Sequence, residues 1–166
     1  MDHNIYTDQY LNDVLSSVRA IALVGASATE TRPSYFVMKY LQAKGYRVIP
    51  VNPGLAGRTL LGETVRASLA DIPEPVDMVD VFRNSQAAGP ITDEAIRVGA
   101  KVVWMQLQVR NDDAARRAEA AGLKVVMDRC PKMEYQRLHG ELGWGGMNSN
   151  VITARKRPLK APKKLI

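Results

Sequence analysis

Hydroxyls, arginine and a glycine turn come together between positions 25 and 34, as Gly25-Ala26-Ser27 and then Arg32 and Ser34. Such a set suits a phosphate. Glycine lets the backbone turn sharply and approach an anion, and a helix opening near Ser34 would point unpaired N–H groups at it. Arg32 beside that helix start, and Arg83 from further along, add guanidinium groups that grip phosphate oxygens in pairs. Without the arginines, Gly25 would read as a plain turn glycine and Ser34 as a helix cap. With them the pattern favours an anionic ligand.

The other reactive side chains make no comparable set. His3 and His139 stand near opposite ends of the sequence and have no Cys, Asp or Glu at metal-ligand spacing. Cys130 follows Arg129 and precedes Pro131 at the start of a helical stretch, features that lower a thiol pKa; the plainer expectation is a small buried residue. Asp77, Asp80 and Asp128 fall in or beside strands and are expected to hold local hydrogen bonds, while Trp104 is expected in the core or a groove wall. No Ser-His-Asp or Cys-His arrangement emerges.

The elements that must position these residues alternate along the chain. A first helix capped by Thr7 or Asp8 carries Tyr10, Leu11, Val14, Leu15 and Val18 on one stripe. The run Ile21–Val24 is a strand, a helix from Pro33 ends at Gly45, and Val48–Val51 is a second strand stopping at Asn52-Pro53. The stretch with Gly54, Gly57 and Gly62 reads as a loop, and Thr64–Leu69 as one or two helical turns. Strands at Val76–Phe82, Lys101–Leu107 and Leu123–Met127 follow. The helix between the first two starts at Asn84 or Ser85, with Pro90 near the start of its clearest part; a later one is capped by Asn111, and a last one opens at Pro131. This order predicts an α/β fold: a single three-layer Rossmann-like domain with a mostly parallel five-stranded sheet. The domain is expected to span 1–150, including a glycine-rich loop anchored by Trp144, and 151–166 to be a basic, disordered tail.

In such a sheet the ligand lies beyond the carboxyl ends of the strands, where Gly25-Ala26-Ser27, Asn52-Pro53, Phe82-Arg83 and Gln106–Arg110 would gather. A nicotinamide dinucleotide makes two demands that this sequence fails. The G-x-G-x-x-G spacing would need glycines where Ser27 and Glu30 stand, and a ribose-holding acid where Asn52 stands. Only Arg58 keeps an NADP-dependent oxidoreductase open as an alternative.

Bulk properties set the remaining bounds. The net charge of +6 belongs to the tail: six of the 23 basic residues follow Glu141, the last of the 17 acidic ones, so residues 1–141 balance. A neutral body argues against a dedicated nucleic-acid binder, although the tail keeps an interaction protein for nucleic acid or acidic partners as a further alternative. No apolar run is long enough to cross a bilayer, the first residues carry no basic leader, and one cysteine builds no disulfide framework. A cytoplasmic protein without membrane contact is expected; no protein partner is legible.

The runs VGAS, SYFVMKYL, GYRVIPVNP, PVDMVDVFR, VVWMQLQV and VVMDRCPKMEYQRL, in this order over roughly residues 10 to 140, resemble the small bacterial CoA-binding proteins. These are stand-alone relatives of the CoA-binding domain in the succinyl-CoA synthetase α subunit. The resemblance implies a Rossmann-type fold with coenzyme A or acyl-CoA over the strand ends. It implies that Gly25, Ala26 and Ser27 form the first ligand turn, that Arg32 and Ser34 meet phosphates, and that Asn52 and Pro53 flank the nucleotide. Phe82 and Arg83 would line the groove and Gln106 would lie near the pantetheine path. The synthetases use a phosphorylated histidine in a second domain, for which this sequence has no stretch. Non-catalytic binding of CoA or acyl-CoA is therefore the expected function.

Overall fold

Five short runs of β-branched and apolar residues form one sheet, in a computed structural model that describes residues 1–141. Trp144, its glycine-rich neighbours and the basic tail lie outside the described residues. The elements in chain order are α1 (Asp8–Ser17), β1 (Ala20–Val24), α2 (Pro33–Ala43), β2 (Arg47–Val51), β3 (Thr59–Leu60), β4 (Glu63–Thr64), β5 (Met78–Val81), α3 (Ser85–Arg97), β6 (Val102–Met105), α4 (Asp112–Ala120), β7 (Lys124–Val126) and α5 (Pro131–Leu138).

The main sheet has the order β2-β1-β5-β6-β7, and every pair in it is parallel. Strands buried on both faces explain the unbroken apolar runs, because alternate residues enter two different cores. Ile21 and Leu23 of β1 pack under α1, α2 and α5, whereas Ala22 packs on the opposite face with Ala88 and Ala95 of α3 and Ala115 of α4. Trp104 is fully buried in the first of these cores, and its indole N–H donates to the Arg129 carbonyl at 2.8 Å. The expected three layers and five parallel strands are present.

The chain leaves β1 toward β2 on one side and then crosses back to β5 on the other. This reversal opens a crevice at the carboxyl ends of β1 and β5, where open α/β sheets take ligands. Gly25 follows one strand and Phe82-Arg83 the other.

Two expectations are corrected. Thr64–Leu69 makes no helical turns: β4 pairs antiparallel with β3, and a 3-10 turn covers Leu69–Asp71. The backbone there is committed to sheet-like partners, with Val65 N–H donating to Arg58 at 2.8 Å and Arg66 N–H to Pro50 at 2.9 Å. Pro90 lies inside α3, not near its start, because Asn84 caps the helix through Ala87 N–H at 2.8 Å. Pro90 faces solvent, so the carbonyl it leaves unpaired one turn earlier can be hydrated.

Candidate functional site

The site is built around the turn after β1. Gly25 adopts φ +96°, a conformation open mainly to glycine, and the N–H groups of Gly25 and Ala26 both donate to the Val51 carbonyl, at 3.0 and 3.3 Å. A side chain at position 25 would also be crowded: its Cβ would sit 3.1 Å from Arg83 Cδ and 3.2 Å from the Phe82 backbone. The conformation calls for glycine here, and the tight space favours it. The Ser27 hydroxyl accepts from Thr29 N–H at 3.1 Å, which leaves its own O–H to donate outward.

Pro33 occupies the first turn of α2, and Arg32 is the N-cap, without a side-chain cap bond. Ser34 is therefore a first-turn residue and not the cap, and it is buried. Backbone bonding inside this turn begins with Tyr35 N–H on the Arg32 carbonyl at 3.0 Å, so the helix start presents its positive end to the cleft.

The cleft at this switch point has a volume of about 740 Å³. Of the residues singled out in the sequence, Gly25, Ala26, Ser27, Arg32, Ser34, Asn52, Phe82 and Arg83 line it together, joined by Arg58. Arg32, Arg58 and Arg83 form no ion pair with any described carboxylate, unlike Arg47, Arg110, Arg117 and Arg137. Three guanidinium groups, a helix N-terminus and a hydroxyl thus face one concavity. Pro53 lies beside it, in an apolar slot with Val24, Val51 and Ile91 that shares Gly25, Asn52 and Arg83 with the cleft. Gln106 stands apart from both, at a crevice beyond the cleft's other flank.

Asn52 is engaged at both ends of its amide. Its amide nitrogen donates to the Ala26 carbonyl at 2.8 Å and its amide oxygen accepts from Gly54 N–H at 2.9 Å. An ionised carboxylate could not make the first bond, so this position ties the β2 end to the glycine turn.

The remaining candidates fall into structural roles. Asp77 accepts from the N–H groups of Arg19 and Ala20 and pairs with Lys101 at 2.7 Å; Asp128 accepts from Gln108 N–H at 2.7 Å. Cys130 is buried, and burial with the nearby Asp80 pushes its thiol up to about 11, so the low-pKa reading is overturned. The Arg129 guanidinium turns to the Asp128 carbonyl and Glu134 instead. His139 stacks on Tyr135 with ring centroids 4.0 Å apart. His3 is buried near Glu119 and bonded to Tyr6, and it is not among the residues that line the cleft.

Sequence reasoning expected Asp80 to hold hydrogen bonds but did not pair it with Gln106 or foresee its burial. Asp80 is fully buried in β5, and the Gln106 amide nitrogen lies 2.9 and 3.1 Å from its two oxygens. Loss of solvation pushes its carboxyl up to about 8. The signal was available: an acid within Val79–Val81 breaks an otherwise apolar strand.

Comparison with known proteins agrees with this architecture. A family model described as a CoA binding domain matches residues 19–136. An uncharacterized protein of Bacillus subtilis, YneT, is 34% identical over 125 residues, covering 75% of this chain and 91% of that protein. Two solved structures align closely. A hypothetical protein from Pyrococcus horikoshii shares 40% identity at a TM-score of 0.77, over 81% of this chain and 94% of the other. A Thermus thermophilus protein shares 41% at 0.76, over 80% and 99%. With the model spanning most of its length, this chain belongs to the CoA binding domain family.

Proposed function

We propose that the chain binds coenzyme A or an acyl-CoA along the carboxyl edge of its sheet and performs no chemistry on it. The observation that carries this reading is the polar cleft, in which Arg32, Arg58 and Arg83 surround the Gly25 turn without carboxylate partners among the described residues. A ligand with several phosphates satisfies those cations; a neutral metabolite leaves them unused. Family membership supports coenzyme A as the phosphorylated ligand. In this arrangement the phosphates lie over the turn and the start of α2, and the base lies in the apolar slot formed by Val51, Pro53 and Ile91. The engaged Asn52 amide, and the absence of glycines at positions 27 and 30, weigh against a nicotinamide dinucleotide.

Calorimetric titration with CoA, acetyl-CoA and NADP tests the reading. Saturable CoA binding is expected, weakened about tenfold or more by Arg83→Ala, since a bond to a charged group contributes about 1.5–3 kcal/mol. Arg83 is exposed, so its removal leaves the core intact. Saturable NADP binding without CoA binding would sink the proposal.

A further inference from the structure

Past the phosphate cleft, the strand ends run into a second concavity of about 400 Å³ between α2 and α5. Pro33 and Phe82 belong to both, so the two are continuous. Its walls are mostly apolar. Phe36 and Leu107 are 47% and 46% exposed, large apolar side chains that stand in solvent at its rim, and Met133 lies opposite on α5.

Gln106, Gln108 and Lys132 are its polar lining residues, and of these Gln106 is the buried one. Gln106 is only 6% exposed, and one end of its carboxamide is held by Asp80. The other end takes no hydrogen bond from any described residue and borders the crevice. An amide end left open to the crevice can exchange water for a ligand's polar group. The slot on the opposite flank of the cleft has no such group, because Asn52 is already engaged at both ends.

We propose that this crevice holds the acyl end of an acyl-CoA, the unengaged end of Gln106 bonding a secondary amide of the ligand's arm while Phe36, Leu107 and Met133 cover the acyl chain. This rests on the CoA reading above and adds the ligand's class, an apolar acyl thioester in preference to free CoA. An amide of the arm carries both an N–H and a carbonyl, so it satisfies Gln106 whichever end faces out. Phe36 and Leu107 give the chain beyond the arm an apolar surface that a bare thiol would leave in water. Each methylene taken out of water tightens binding by about fourfold, the equivalent of about 0.8 kcal/mol.

Titrations of the full chain with CoA, acetyl-CoA and octanoyl-CoA test this. Octanoyl-CoA is expected to bind about tenfold or more tightly than CoA, with acetyl-CoA between them, and Leu107→Glu is expected to bring the ratio toward one. Measurable CoA binding with equal affinities across the series would overturn the acyl site and leave the CoA reading standing. So would a ratio that survives both Leu107→Glu and Phe36→Glu. No binding of any of the three would overturn both.

Discussion

Asp80 shows how one residue can set a pH dependence for the whole fold. Its carboxyl is fully buried and titrates near 8, against an ordinary value of 3.8. Below pH 4 the folded and unfolded states both hold the proton, and the residue makes no difference. Between about 4 and 8 the unfolded chain releases the proton while the folded chain keeps it, so stability falls as pH rises, with a slope approaching about 1.4 kcal/mol per unit. Above 8 both states are ionised and the loss levels off. Gln106 serves either form, since its amide N–H₂ donates to a carboxylate and its carbonyl accepts from an acid. Asp80→Asn keeps the shape and removes the titration. Urea unfolding at pH 5 and pH 8 is expected to show the variant gaining on the parent as pH rises; an advantage equal at the two values would refute the assignment.

Among the elements, the β1 turn was the most legible in the sequence, because a glycine after four apolar residues is called for by conformation and favoured by space. Gly25 and Gly45 separate these two requirements. Both have positive φ, +96° and +91°, but no atom of the described residues lies within 4 Å of a Cβ built on Gly45, whereas Arg83 and Phe82 crowd one on Gly25. Gly45→Ala is expected to lose about 1 kcal/mol from conformation alone and keep its CoA affinity. Gly25→Ala is expected to lose more, and CoA affinity with it, as Phe82-Arg83 are pushed away. Thermal unfolding with calorimetry reads both; equal losses would mean that the crowding is relieved at no cost. The strands and helices were legible for a similar reason, since periodicity reports local burial. The corner between β2 and β5 was not. Its backbone bonds run from Arg66 to Pro50 and from Gly57 to Val65, across distances that no periodicity records. The crevice walls were illegible too, because Phe36 reads as an ordinary helix residue until α5 is set opposite it.

At the scale of the molecule, both edges of the parallel sheet are closed by segments that contribute no strand to it. Along β2, Arg66 bridges Val51, with Asn52 N–H donating to the Arg66 carbonyl at 2.9 Å. Along β7 two tyrosine hydroxyls do the work of a neighbouring strand. Tyr10 accepts from Val125 N–H at 3.2 Å and donates to the Val125 carbonyl at 3.0 Å, and Tyr6 accepts from Met127 N–H at 2.8 Å. Burial raises the pKa of both, to about 12 for Tyr6, so the hydroxyls remain neutral across the physiological range. His3 bonds to Tyr6 at 2.9 Å and lies 3.3 Å from Glu119, fastening the N-terminal segment over this edge. The sequence marked Tyr10 only as part of an apolar stripe, because a side chain paired with a backbone 115 residues away leaves no local trace. An open edge is a template for pairing with another chain. Tyr6→Phe with Tyr10→Phe keeps the rings and their packing while leaving the β7 backbone groups unpaired, each at a cost of about 1–3 kcal/mol. The double variant is expected to unfold at lower urea than the parent and to gain apparent mass with concentration in sedimentation. Lower stability with the parent's mass at every concentration would show that the hydroxyls stabilise β7 without guarding its edge.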